Sequence, residues 1–104
     1  MTTPSASPTR QILDRLLRER GITRYALFLV SDEGKEIPGP PGAPPIHAIS
    51  GFVLTETGQV YGFWLDWDPT TRRHVLDPWY PADPAAFADD PEYRRARQQL
   101  GLEP

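Results

Sequence analysis

The sequence has no cysteine and no asparagine, and its 104 residues include one methionine and one lysine. Without cysteine there can be no disulfide bond, no thiolate zinc site and no cysteine nucleophile. The ten arginines that accompany the single lysine fit either a thermophile or a GC-rich genome. The second explanation is preferred, because proteins from hyperthermophiles are generally enriched in lysine.

Long apolar runs are missing as well. No stretch of about 18 apolar residues exists, so the sequence predicts no membrane span. The first residues lack the apolar core of a secretory signal, which makes the cytoplasm the expected location. The formal net charge of -3 also disfavours a nucleic-acid partner, since phosphate binding requires a concentrated excess of lysine and arginine.

Only 23 residues are leucine, isoleucine, valine or phenylalanine, little more than the roughly 20% below which chains tend to stay disordered. The 13 prolines are grouped, with five at positions 38–45 and five at 69–91. Because proline lacks a backbone N–H and interrupts helices and central strands, regular structure is expected between the groups. The segment 38–45 is expected to be a surface loop with polyproline II character.

The remaining residues predict a single α+β domain over residues 8–104, preceded by a disordered tail over residues 1–7. Its first element is an amphipathic helix over residues 9–20, capped by Ser7, begun by Pro8 and ended by Gly21. Four aliphatic residues recur at helical spacing and predict one buried helix face: Ile12, Leu13, Leu16 and Leu17.

A four-stranded, mostly antiparallel meander sheet is expected to follow the helix. Residues 25–30 are apolar at every position, which predicts a central strand buried on both faces, with a turn at 31–34. The rest of the chain predicts further strands over 46–55, 59–67 and 72–77, a weak helical turn near 84–88 and a short helix over 91–100. Asp90 is the expected cap of this last helix, which should pack weakly because its apolar stripe is narrow.

The register of the predicted hairpin determines which side chains share a face. Alternation along its second strand predicts four core-facing residues: Tyr61, Phe63, Leu65 and Trp67. Trp64 then points away from the core. A two-residue loop at Thr57-Gly58 would pair Gly51 with Trp64, an arrangement in which an aromatic ring covers a bare glycine.

One set of residues could form a catalytic or metal site: His47, Asp66, Asp68 and His74. If the turn after Asp68 pairs His74 with Asp66, all four share one face. Two imidazoles with one or two carboxylates can bind zinc or iron, or supply a general base. If the turn is one residue shorter, His74 pairs with Leu65 on the other face and Asp66 pairs with Arg73. The sequence leaves this register open, and no metal or other cofactor is expected.

Aromatic and proline residues indicate an interaction surface: Trp64, Trp79, Tyr80 and Pro41. Trp64 faces away from the core, so a helix, the proline loop or a second molecule has to cover it. Trp79 and Tyr80 lie between two prolines and are expected in a tail across the edge of the core. Pro41 belongs to Lys35-x-x-Pro38-x-x-Pro41, the basic PxxP pattern of segments that dock on aromatic grooves, although a stiff connector is the simpler explanation.

The sequence therefore favours a small non-enzymatic interaction or accessory module that acts through an aromatic sheet face, with a second copy or another protein as partner. A dimer is predicted because one amphipathic helix cannot cover both faces of the sheet. In the competing arrangement, the proline loop and the tail at Trp79-Tyr80 fold over the second face. The second functional hypothesis is a metal-dependent or acid–base enzyme that uses the His/Asp cluster.

Overall fold

A computed structural model describes residues 7–37, 41–42 and 45–102 of the chain. The tail predicted before Pro8 lies outside these residues except for Ser7, and so does most of the proline segment. The described elements are α1 (Pro8–Glu19), β1 (Tyr25–Ile37), β2 (Ile46–Thr55), β3 (Val60–Asp68), β4 (Arg73–Ala82), a 3-10 helix (Pro84–Phe87) and α2 (Pro91–Gln99). The strands form one antiparallel sheet in the order β1-β2-β3-β4, which confirms the predicted α+β meander.

Helix α1 has the ends that its sequence predicts. The Ser7 hydroxyl accepts a hydrogen bond from the Arg10 N–H, and Pro8 occupies the first turn. Gly21, with a φ of +82°, follows the helix, and the Ile22 N–H donates to the Leu17 carbonyl at 2.9 Å. The apolar stripe packs on one face of the sheet, here called the first face, against Ile49, Val53, Phe63, Leu65 and Leu76.

Helix α2 covers part of the opposite face, here called the second face. Asp90 caps it by accepting hydrogen bonds from the N–H groups of Glu92 and Tyr93, as predicted. The three residues of its narrow stripe, Tyr93, Ala96 and Leu100, are all buried. They pack against Ala26, Phe28, Leu54 and Val60. The described residues contain no helix that is long and apolar enough to cross a bilayer.

Strand β1 differs from the prediction in position and length. It lies at an edge of the sheet, and its apolar residues are buried on both faces because the two helices pack on opposite sides of it. It also continues through the turn predicted at 31–34. Two register shifts between β1 and β2, with positive φ angles at Leu29 and Asp32, bend the strand without ending it.

The β2–β3 loop is one residue longer than the two-residue loop used to predict the register. Thr55 and Gln59 close a three-residue loop in which Gly58 has a φ of +89°. The predicted pairing is therefore wrong by one residue. Gly51 pairs with Phe63 rather than Trp64, and Phe52 pairs with Gly62.

Strand β4 extends to Ala82, beyond the predicted end at Asp77, and includes both Trp79 and Tyr80. The prediction of a tail there rested on Pro78 and Pro81. Proline is tolerated in this strand because β4 is the other edge of the sheet. Leu65 pairs with Leu76 and Phe63 with Trp79, so a bulge at Asp77 and Pro78 faces Trp64.

Candidate functional site

The second face of the sheet is half covered. Helix α2 packs over β1, and Phe87 of the 3-10 helix packs on Phe28 and Phe52, with ring centroids 5.2 and 4.8 Å apart respectively. We call this raised half the helical ridge. The half formed by β3 and β4 carries an open group of side chains, here called the aromatic step: Trp64, Asp66, Val75, Asp77 and Tyr80. Trp64 and Tyr80 are 44% and 45% exposed and are the exposed large hydrophobic residues of the described chain.

Tyr80 is held in place by a glycine on the neighbouring strand. Gly62 pairs with Tyr80, and a Cβ added at Gly62 would overlap the Tyr80 ring. The prediction that Trp64 covers Gly51 is wrong, and the aromatic ring that covers a strand glycine is Tyr80, over Gly62. Gly51 instead approaches the β1 backbone, where an added Cβ would lie 3.0 Å from the Leu29 carbonyl oxygen.

Charged side chains lie on both halves of the second face. The aromatic step carries Asp66 and Asp77, both exposed, and the Asp66 carboxylate accepts a hydrogen bond from the Trp67 N–H at 2.8 Å. The helical ridge carries Arg94 and Arg95, which are also exposed, together with the acidic Asp89, Asp90 and Glu92, and Arg94 lies 3.5 Å from Asp89. The step is therefore acidic, and the ridge beside it carries charges of both signs.

Trp79 and Pro41 lie apart from the aromatic step. Trp79 is half-buried on the first face, where its ring stacks on Tyr61 at 4.7 Å and 15°. The guanidinium carbon of Arg20 lies 4.7 Å from the Trp79 ring centroid, so the indole is held within its own chain. Pro41 lies in an exposed turn at residues 41–42, and Pro38 of the proposed PxxP pattern falls outside the described residues.

The four candidate catalytic residues do not converge. His74 pairs with Trp67, so neither of the two registers considered from the sequence is correct. Asp66 pairs with Val75 and shares the second face with Trp64. Asp68 is the last residue of β3, where the Thr70 N–H of the following turn donates to its carboxylate and lowers its pKa. Among the described residues, no group of three or more metal-binding side chains lies close enough to hold an ion.

The two histidines do come together on the first face, with ring centroids 6.1 Å apart. Thr9 Oγ1 lies 3.0 Å from His47 Nδ1, and the His47 backbone N–H donates to His74 Nε2 at 3.1 Å. Burial, followed by the nearby His47 and Arg15, lowers the pKa of His74. These contacts join α1, β2 and β4.

Two residues of these surfaces were not found from the sequence. Thr9 is buried beside His47, and nothing in the local pattern distinguishes it from any other residue of a first helical turn. Gly62 carried a usable signal, because an isolated glycine within a strand indicates the close approach of another group.

Comparisons with known proteins identify no relative. No family model, no curated protein and no solved structure matches the chain. Its function has to be inferred from the surfaces described above.

Proposed function

We propose that the protein is a non-enzymatic interaction module that binds a second copy of itself through the aromatic step. The observation that carries this proposal is the pair of exposed rings, Trp64 and Tyr80, on the uncovered half of an otherwise packed sheet. Burying the exposed part of one such ring, on the order of 100 Å², is worth about 2.5 kcal/mol at ~25 cal/mol per Å². Two rings from each copy therefore supply a substantial driving force.

The shape of the second face favours a second copy as the partner. A helical ridge stands beside a lower step, so a two-fold rotation places the ridge of each copy on the step of the other. The same arrangement brings Arg95 of one ridge towards Asp66 and Asp77 of the opposite step, whereas Arg94 is paired with Asp89 in its own chain. The shape is thus self-complementary, and the attraction between Arg95 and the acidic step supports the same arrangement.

The irregular edges of the sheet disfavour strand-to-strand association and so favour association through the second face. Strand β4 carries two prolines and a bulge, and β1 carries two register shifts. These features interrupt the regular row of N–H and C=O groups that strand-to-strand association needs.

Sedimentation at protein concentrations up to about 100 µM tests the proposal. We expect the wild type to dimerise and Trp64→Ala or Tyr80→Ala to weaken the dimer about tenfold or more, as removal of a central aromatic anchor does. A wild-type monomer throughout this range would contradict self-association.

Charge reversal tests the arrangement of ridge on step. Asp66→Arg and Arg95→Asp should each weaken the dimer, and the double variant should recover affinity because the contact is restored with reversed signs. Glu56→Arg makes the same charge change in the β2–β3 loop, outside the step, and serves as the matched control. If Glu56→Arg weakens the dimer as much as Asp66→Arg does, the effect is one of net charge and the arrangement is wrong.

The second hypothesis, a metal-dependent or acid–base enzyme, has less support. Asp66 and Asp68 do not join the two imidazoles, and both histidines take part in hydrogen bonds within the chain.

A further inference from the structure

We infer that His74 is a pH-sensitive link that holds β2 and α1 to β4 only while its imidazole is neutral. The inference rests on two hydrogen bonds on the first face and does not depend on the aromatic step. The regular β2–β3 pairing ends at Ile49 and Leu65. Two residues earlier in β2, the His47 N–H donates to the imidazole of His74, a side chain of β4.

The direction of this hydrogen bond fixes the state of the His74 ring. His74 Nε2 accepts a hydrogen bond from a backbone N–H, so this nitrogen carries no proton and the neutral ring has its hydrogen on Nδ1. Protonation of Nε2 would place two donors against each other at a 3.1 Å separation. The imidazolium form therefore cannot keep this contact with His47.

A second hydrogen bond connects the same strand to the first helix. Thr9 is 1% exposed, and its hydroxyl lies 3.0 Å from His47 Nδ1. The backbone of His47 is thus held by β4 while its side chain is held by α1. Loss of the His74 contact loosens the start of β2 together with the α1 residue attached to it.

Charged and titratable groups of both signs lie around His74. They face His74 or the cavity beside it from each neighbouring element: Arg15 and Glu19 of α1, Arg20 directly after α1, His47 of β2, Asp68 of β3 and Arg73 of β4. Arg15 and His47 raise the cost of a positive charge there. The two carboxylates have other partners, because Glu19 lies 3.7 Å from Arg73 and Asp68 accepts from the Thr70 N–H.

The sign of the pH dependence follows from the depressed pKa. The folded chain holds its His74 proton less tightly than the unfolded chain, whose histidine pKa is near 6.5. The stability contributed by neutral His74 is therefore complete above about pH 6.5. It declines as the pH falls towards the folded-state pKa, and it changes no further below that value.

Nuclear magnetic resonance of the full chain tests the link directly. At about pH 7.5 we expect the His74 proton on Nδ1, and on acidification a titration midpoint below 6.5. Over the same range, hydrogen exchange of the His47 amide should accelerate about tenfold or more beyond its intrinsic pH dependence. A proton on Nε2 at neutral pH, a midpoint at or above 6.5, or unchanged exchange would each overturn the inference.

Two variants separate the His74 titration from other acid effects. His74→Gln offers an amide oxygen that does not titrate, so the exchange of the His47 amide should no longer accelerate in acid. His47→Gln keeps the backbone N–H and removes the neighbouring imidazole, so His74 should still titrate, with its midpoint shifted upwards. Acid-dependent exchange that persists unchanged in His74→Gln would contradict the inference, and the wild-type measurement decides the matter if either variant fails to fold.

Discussion

The two halves of the second face show how far this chain can bury its own sheet. Over β1 and β2, α2 and the 3-10 helix contribute Phe87, Tyr93, Ala96 and Leu100 to a closed core. Over β3 and β4, Trp64 and Tyr80 remain nearly half exposed. With little aliphatic sequence outside the sheet, the helices cover one full face and about half of the other. A partner on the open half would therefore bury more apolar surface than one on the covered half.

The largest expected loss of stability follows from a substitution in the covered half of the second face. Phe28→Ala removes a ring that contacts Phe52, Phe87 and Tyr93 at centroid distances of 5.2 to 5.5 Å. We expect the free energy of unfolding to fall by about 3–5 kcal/mol, since the cavity lies between a sheet and a helix. Chemical denaturation measures this loss. An effect as small as that of an exposed aromatic would mean that the ridge does not pack as described.

A large-to-small substitution in the core of the first face should also lower the free energy of unfolding. Leu16 is 7% exposed in the core beneath α1, and Leu16→Ala is expected to cost roughly 2–5 kcal/mol. A denaturation midpoint equal to that of the wild type would show that α1 does not pack on the domain. Trp64→Ala is the matched comparison from the open half, where we expect less than about 1 kcal/mol in the isolated monomer because nearly half of the residue surface is already in contact with water.

Substitutions of the two helix-capping residues should lower the free energy of unfolding by smaller and nearly equal amounts. Asp90→Ala removes the hydrogen bonds to two N–H groups of α2, and Ser7→Ala removes the one to Arg10 in α1. Each change should cost about 1 kcal/mol, as measured for other caps. If Asp90→Ala also weakens the dimer while Ser7→Ala does not, the ridge takes part in the interface.

Gly62→Ala should change the free energy of unfolding least, but it should displace a side chain of the aromatic step. The added methyl group collides with the far end of the Tyr80 side chain, which can swing away, so we expect a change within about 1 kcal/mol. Displacing Tyr80 should nevertheless weaken self-association as Tyr80→Ala does. In a Tyr80→Ala background, Gly62→Ala should have no further effect on association, and an additive loss would show that the glycine acts in another way.

Local rules predicted the helices well because the signals lie within a few residues of each other. Ser7 and Gly21 bound α1, and Asp90 caps α2, as the sequence indicates. The same reasoning failed for β4, where proline was expected to exclude regular structure. Whether a strand tolerates proline depends on whether it lies at an edge of the sheet. No local sequence pattern indicates the position of a strand in the sheet.

The candidate sites were harder to predict because they depend on register. One additional loop residue moved the partner of Trp64 from Gly51 to Ser50 and placed Phe52 on the second face. The pairing of His74 with Trp67 then brought the two histidines together and left Asp66 on the opposite face. A shift of one residue reverses the face of every side chain in a strand, so small errors in turn length remove a predicted site entirely.

By itself, the sequence determined the type and order of the elements, the ends of both helices and the apolar stripe of each, because capping and periodicity act between near neighbours. Only the tertiary structure decided that β1 and β4 are the edges, that α2 covers one half of the second face and that Tyr80 rather than Trp64 lies over a glycine. These outcomes depend on contacts between residues far apart in the chain, whose energies are settled only when all elements pack together.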